Sequence, residues 1–313
     1  MSLPARTVLV NYRNMDKTIA CIRALEKMSV KPECVYLIDN ASTQESRDLF
    51  ENAFPQSRTE SFEIECTWNE ANVGFAAACN QGIRAALEDG FDGFIWLLNN
   101  DTEPEPDALK ELLATAESSH AGITGSQIVS PDGKFLGGVG FVNSNFATVR
   151  RATSPEERGF SYIEGSSFLI SPECLRKTGE LSEEYFLYFE ESDYCYRARQ
   201  QDFELAWANG SIVHHDIGSS TGSEQGKGKV PFFIDCLMIR NRYHFAQKFQ
   251  FPSFSVKYGL FLSLLLRVFR FQPLRAITIL RIVLSEQSFK NFIEKNGGFY
   301  AYTGFNADGW YYG

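Results

Sequence analysis

Three clusters of side chains in this chain have the types and spacing to do chemistry. In "GFIWLLNNDTEPEPDAL", residues 93–109, five large apolar residues run straight into Asn99, Asn100 and Asp101. A carboxylate beside amide carbonyls at the end of a buried strand suits a hard divalent cation, Mg²⁺ or Mn²⁺, carrying a diphosphate. It equally suits an Asx-turn or a helix cap, and on Asp101 alone that plainer role weighs more. In "YFEESDYCYR", Glu190, Glu191 and Asp193 crowd the front of a helix, where the macrodipole favours negative charge. The aromatics just upstream, Phe186, Tyr188 and Phe189, would partly desolvate these acids and raise a carboxyl toward the range of a usable base. In "VHHDIGSS", His214 and His215 follow a strand, and adjacent residues of an extended chain point to opposite faces, so only one can meet a cleft.

A fourth stretch, "NEANVGFAAACNQG", sets Asn72 and Gly74 immediately before an Ala-rich helix. The free N–H groups at such a helix start can receive a phosphate or hydroxyl. Tight helix–sheet packing accounts for the alanines but does not require Asn72, Gly74 and Asn80 together.

The elements that must position these groups alternate. Residues 7–12, 34–40, 62–68 and 94–99 read as strands, and the Ile19, Ile22, Leu25, Met28 stripe and residues 75–88 read as helices between them. That alternation implies an α/β fold with a doubly wound, mostly parallel sheet. Ligands bind beyond the carboxyl ends of such strands. Topology alone therefore gathers Asn11, Asp39, Asn72 and Asp101 there. A helix is expected near Glu105, with Pro104 and Pro106 in its first turn. Residues 162–171 read as one strand, followed by Ser171 as N-cap with Pro172 at the first helical position. Residues 203–215 read as a strand pair, and the Gly- and Ser-rich stretch from Asp216 to Pro231 has the composition of a lid. From Phe232 onward the pattern is helical and aromatic-rich. We divide the chain into a domain of residues 1–245 and a helical extension of residues 246–313.

Several classes are disfavoured. The 39 acidic residues outnumber the 30 basic ones, giving a net charge of −9, which argues against a nonspecific grip on nucleic acid. Seven dispersed cysteines without a CxxC pair point to a reducing cytoplasm and no zinc cluster. The first residues lack the apolar region of a signal peptide, and the longest apolar stretch, residues 258–266, is too short to span a bilayer. No glycine precedes Gly74, so the first strand–helix turn is neither a dinucleotide-binding GxGxxG nor a Walker A loop. Residues 218–222 match the GxSxG of hydrolase elbows, but the Gly-, Lys- and Pro-containing stretch after them cannot start a helix at once.

Taken together, "LVNYRN", "LIDNAS", "NEANVGFAAACNQGI", "WLLNNDT", "EGSSFLIS", "YFEESDYCYRAR" and "HHDIGSS" resemble the family 2 glycosyltransferases of GT-A fold, in particular their bacterial rhamnosyltransferase-like branch. The resemblance spans about residues 5–245. It implies that Asn99-Asn100-Asp101 stands where the family carries D-x-D, with Asn99 in place of the first Asp and Asp101 as the charged metal ligand. The H-x-x-G-x-S segment maps to His215, Gly218 and Ser220 and implies His215 as a second ligand. Asn11, Tyr12 and Asp39 fall where the nucleoside is held, Asn72 and Gly74 where the helix start lines the donor pocket, and Asn100 beside the donor. The family's E-D-x-D segment aligns with Glu190 to Asp193, which places Glu191 at the base position with Asp193 as the alternative.

The resemblance thus implies a GT-A type α/β fold and a metal-dependent, inverting transferase. Its donor would be a nucleotide-diphosphate sugar, its cofactor Mg²⁺ or Mn²⁺, and its acceptor a carbohydrate or lipid-linked hydroxyl in bacterial surface polysaccharide or glycolipid synthesis. A catalytically silent sugar-nucleotide binder and a sugar nucleotidyltransferase stay open as alternatives. A cytoplasmic location is expected. For the extension, where Leu264, Leu265, Val268, Phe269 and Phe271 lie among Arg267, Arg270 and Arg275, packing on the catalytic domain is favoured. Peripheral contact with an anionic membrane and a homo-oligomer remain as alternatives.

Overall fold

The computed structural model describes residues 3–88, 90–216 and 230–299. The first half is built as the alternation predicts: β1 (Ala5–Asn11), α1 (Met15–Glu26), β2 (Cys34–Asn40), α2 (Gln44–Ala53), β3 (Glu63–Asn69), α3 (Phe75–Leu87) and β4 (Phe94–Asn99). Next come β5 (Thr102–Pro104), α4 (Ala108–Ser119), β6 (Ile123–Val129), β7 (Phe135–Gly137), β8 (Val139–Val142), β9 (Val149–Arg151), β10 (Tyr162–Ile163) and β11 (Ser167–Ile170). The remainder is α5 (Pro172–Thr178), α6 (Glu190–Gln200), β12 (Leu205–His215), α7 (Phe232–Lys248), α8 (Ser253–Phe269), α9 (Pro273–Leu284) and α10 (Glu286–Lys295).

One sheet runs β3-β2-β1-β4-β11-β6-β12-β5, with β7 paired to β6, and β10-β8-β9 form a second, three-stranded sheet. β1 to β4 are mutually parallel, and β11 enters antiparallel between β4 and β6. The sheet is therefore mixed beyond its parallel first half. Helices cover both faces, which is why the strands read as continuous apolar runs. On one face Leu9, Leu37, Trp96 and Leu98 pack with α1, α2 and α4 through Ile22, Phe50 and Leu109. On the other, Val8, Ile38, Ile95 and Leu97 pack with α3, α5 and α6 through Ile83, Leu175 and Tyr194. Gly82 lets α3 sit close to the sheet: a Cβ there would lie 2.5 Å from Val8 Cγ1.

Local boundaries differ from the sequence reading where pairing overrides pattern. Thr102–Pro104 is an edge strand because His215, His214 and Val213 pair with it, so α4 starts only at Ala108. Residues 162–171 break into β10 and β11, which belong to different sheets. Residues 205–215 form one strand, not a pair, with an irregularity between Ala208 and Ile212 that absorbs the Asn-Gly-Ser sequence. Ser171 caps α5 as expected, its side chain accepting from the Cys174 N–H, with Pro172 next. The expected division between residues 245 and 246 falls inside α7.

Candidate active site

The candidate residues gather at the carboxyl ends of β1, β2 and β4. There the chain, having added β2 and β3 on one side of β1, crosses to add β4 on the other, the switch point at which ligands bind in such sheets. The floor of the site is a network of amides. Fully buried Asn11 donates from Nδ2 to Asp39 Oδ1 at 2.6 Å. Its Oδ1 accepts from Thr18 Oγ1 at 3.0 Å and from Asn100 Nδ2 at 3.1 Å, and Asn100 Nδ2 also donates to Thr18 Oγ1 at 2.9 Å. The second Asp39 oxygen accepts from Ser46 Oγ at 2.7 Å. Three sequence-named residues, Asn11, Asp39 and Asn100, thus form one rigid unit. Each carboxylate oxygen keeps a second lone pair for a ligand. Half-buried Tyr12 stands at the rim, its ring 5.1 Å from the Arg13 guanidinium carbon. Thr18 and Ser46 escaped the sequence reading, although each lies in the first or second turn of the helix following its strand.

Asn72 and Gly74 form the wall. Asn72 Oδ1 accepts from the Gly74 N–H at 3.0 Å, an Asx-turn, and from Asn40 Nδ2 at 2.9 Å. Asn40, another residue the sequence reading passed over, also accepts from the Val73 N–H at 2.9 Å. Asn72 therefore shapes the turn, and its carbonyl accepts from the Phe299 N–H at 2.6 Å. Gly74 has φ +92°, and a Cβ there would lie 2.6 Å from the Phe186 carbonyl oxygen. Asn80 is spent on structure: its amide donates to the Leu181 carbonyl at 2.9 Å and accepts from the Leu181 N–H at 2.9 Å.

Asp101 and His215 meet. Because His215 pairs with Thr102 across β12 and β5, its Nε2 comes within 3.1 Å of Asp101 Oδ1, both side chains being more than nine-tenths buried. His214 takes the other face, contacting Glu105 Oε1 at 3.1 Å and the Ser130 carbonyl at 3.2 Å. One carboxylate oxygen and one imidazole nitrogen fit a divalent ion such as Mn²⁺. With bonds of about 2.1 Å, neighbouring ligands of an octahedron stand about 3.0 Å apart, close to the spacing seen here. Among the described residues no group of three or more His, Cys, Asp or Glu forms a metal site. On α1, Lys17 Nζ lies 2.9 Å from Oδ2 of Asp216, the residue after His215, a hydrogen bond that raises the lysine pKa. Gly218, Ser220 and the stretch read as a lid, apart from Asp216, Val230 and Pro231, lie outside the described residues.

The three acids of α6 part company because consecutive helical residues point about 100° apart. Glu190 turns inward: its Oε2 finds no hydrogen-bond partner among the described residues, and burial, reinforced by Glu191, pushes its pKa well above the usual carboxylate range. Asp193 turns toward α7 and is fully buried among cations, 2.7 Å from Arg197 Nε, 2.7 Å from Lys248 Nζ and 2.9 Å from the Tyr185 hydroxyl. Both its oxygens are held there. Half-buried Glu191 faces the Gly165 turn, and burial, with Glu164 adding, raises its pKa to about 7, Arg151 opposing. Glu164, to which the sequence pattern gives no role, is buried with its Oε2 3.4 Å from Arg151 Nε. Burial raises the Glu164 pKa, Arg151 opposing, and the Glu164 charge adds to the rise at Glu191.

The loop before α6 is strained. Phe186, Tyr188 and Phe189 all have positive φ, at +65°, +70° and +80°. Such conformations in non-glycine residues persist only when their surroundings fix them. Here buried Asn241 of α7 does so, its Nδ2 donating to the carbonyls of Tyr185, Leu187 and Tyr188 at 2.9, 2.9 and 3.0 Å.

Residues 7–167, just over half of the chain, match the family model for glycosyl transferase family 2. The chain belongs to glycosyl transferase family 2. Among curated proteins it is 24% identical over 205 residues to the low-salt glycan biosynthesis hexosyltransferase Agl10 of Haloferax volcanii; the match covers 63% of this chain and 62% of that relative. Among solved structures it is similar to GalNAc-T7 with UDP, GalNAc and Mn²⁺, at TM-score 0.58 and 16% identity, covering 79% of this chain and 48% of that one. It is also similar to the mannosyltransferase PcManGT from Pyrobaculum calidifontis in complex with GDP-Man and Mn²⁺, at TM-score 0.58 and 11% identity, covering 95% and 80%. These likenesses confirm the GT-A fold. The family model carries the membership in family 2, and the rhamnosyltransferase-like branch is neither supported nor contradicted by these matches.

Proposed function

We propose that the protein is a metal-dependent, inverting glycosyltransferase that moves a sugar from a nucleotide-diphosphate donor to a carbohydrate or lipid-linked hydroxyl, as in surface polysaccharide or glycolipid synthesis. The observation that carries the reading is the approach of Asp101 and His215 to 3.1 Å just past the end of β4, at the switch point of the sheet; Glu191, a half-buried carboxyl of raised pKa at the front of α6, supports it. Mn²⁺ in two structural neighbours supports a divalent ion here.

The nucleoside would lie on the Asn11–Asp39–Asn100 floor beside Tyr12, with the N-terminus of α3 behind Gly74 lining the donor pocket. Asp101 and His215 would hold the divalent ion, leaving its other positions to diphosphate oxygens and water. When bound, that ion would offset the charge developing on the departing diphosphate. Glu191 accepts the proton of the acceptor hydroxyl as that oxygen attacks the anomeric carbon from the face opposite the diphosphate. A pKa near neutrality suits the role, because such a carboxylate is ionised at working pH yet basic enough to draw the proton. Asp193 instead anchors α6 to α7, so that Glu191 is presented at a fixed angle. The strained Phe186–Phe189 loop, clamped by Asn241, sets the start of that helix.

A panel of nucleotide sugars, assayed with Mn²⁺ and simple sugar acceptors, tests the reading. It expects release of a nucleoside diphosphate and a product of inverted anomeric configuration. Tight donor binding with no turnover on any acceptor would favour the silent binder, and a retained configuration would remove the single-displacement mechanism.

A further inference from the structure

The described fold leaves twenty large apolar side chains exposed, and twelve of them fall within residues 254–284, about a tenth of the chain. They lie on α8, α9 and the turn between them. One side of this hairpin is packed: Val256, Ala276, Ile279 and Ile282 are buried, and Arg267 and Arg275 both reach Asp235 of α7, at 2.9 and 3.2 Å. Among the described residues nothing covers the other side, with Phe254 83%, Phe269 71%, Phe271 94%, Leu274 73% and Leu284 73% exposed. A monomer in water does not keep so concentrated an apolar surface without a use for it.

Charge selects the occupant. Residues 251–285 contain five basic residues, Lys257, Arg267, Arg270, Arg275 and Arg281, and no acid, in a chain of net charge −9. Asp235 engages Arg267 and Arg275, whereas Lys257, Arg270 and Arg281 stand on the exposed surface, Arg270 between the two most exposed phenylalanines of the turn. A second copy docking through the same face would set these cations against one another with no carboxylate in the segment to pair them. An anionic bilayer surface offers both halves of the match, acyl chains for the aromatics and phosphate headgroups for the cations. At 17 and 12 residues α8 and α9 are too short to cross a membrane, and no helix among the described residues is long and apolar enough to do so. The geometry points to a hairpin that lies in the interface of an anionic membrane as a monotopic anchor.

The hairpin packs on the loop that precedes α6. Its inner residues Ile279 and Ile282 share a cluster with Phe186, five residues before Glu191. The anchor itself does not depend on the reaction proposed above, because vesicle binding is measured without donor or acceptor.

The test is flotation of the full chain with vesicles of phosphatidylcholine alone or mixed with phosphatidylglycerol, in low and high salt. The chain should float with the anionic vesicles in low salt and less in high salt. The triple substitution Phe269→Ser, Phe271→Ser, Leu274→Ser should abolish flotation, and Arg270→Gln with Arg281→Gln should weaken it about fivefold per residue. All five positions are exposed, so thermal unfolding should stay unchanged and exclude misfolding as the cause. Failure to float with anionic vesicles in low salt overturns the proposal. So does self-association in the absence of lipid that the triple substitution removes, since a second copy would then be what covers the face.

Discussion

Glu191→Gln isolates the proposed base. The substitution keeps the shape of the side chain and removes its proton acceptor, and losing a general base costs typically 10²- to 10⁴-fold in rate, about 3–5 kcal/mol of barrier. Donor affinity should barely change, because the interaction is made in the transition state. The raised pKa supplies a second signature. With a folded pKa of about 7 against an ordinary 4.5, the folded state binds more protons than the unfolded between those values. Stability therefore falls as pH rises through that window, by at most about 3 kcal/mol once the carboxyl is fully ionised. Glu191→Gln should remove this fall, so the variant should equal the parent near pH 4.5 and exceed it near pH 8. In the parent, kcat/KM should climb with pH and level off above about 7. Single-turnover rates and denaturant unfolding across pH measure both. A variant that keeps most of its turnover, or loses stability at high pH, refutes the assignment of Glu191.

Asp193→Asn should behave differently, lowering stability by about 3 kcal/mol because the Arg197 and Lys248 charges lose a fully buried partner; urea unfolding checks it, and any activity loss should track the unfolded fraction. Asn241→Ala withdraws the amide that holds three carbonyls of the strained loop, at a cost of about 3 kcal/mol, and hydrogen exchange should show faster opening at residues 185–189 than elsewhere.

The sequence displayed the site's parts more clearly than their assembly. Asp101 was legible because a buried strand ends on it, and the alternation of His214 and His215 promised that one of them would face the cleft. That their side chains meet depends on an edge strand, Thr102–Pro104, that two prolines disguised as a helix start and that forms only because β12 returns more than a hundred residues later to pair with it. The three acids of α6 were visible as a group, but with carboxylates at three positions nothing in the pattern fixed the helix phase. Packing fixed it, turning Glu190 inward and Asp193 onto α7. Asn72 looked like a ligand and is largely an Asx-turn, a local use of the amide that any exposed turn can make. In the extension, amphipathicity was readable, whereas which face would be covered depended on Asp235 of α7 collecting two of the arginines.

The central claim, a divalent ion and a nucleoside diphosphate held together at Asp101 and His215, is tested most directly by calorimetric titration of a panel of nucleoside diphosphates into the full chain with Mn²⁺. At least one should bind in Mn²⁺, chelation should abolish most of that binding, and Asp101→Ala should lower it equally while the variant still unfolds in one cooperative thermal transition, at a temperature reduced by the loss of a buried partner of His215. Binding of the same strength in chelator, or in Asp101→Ala with Mn²⁺, would contradict it.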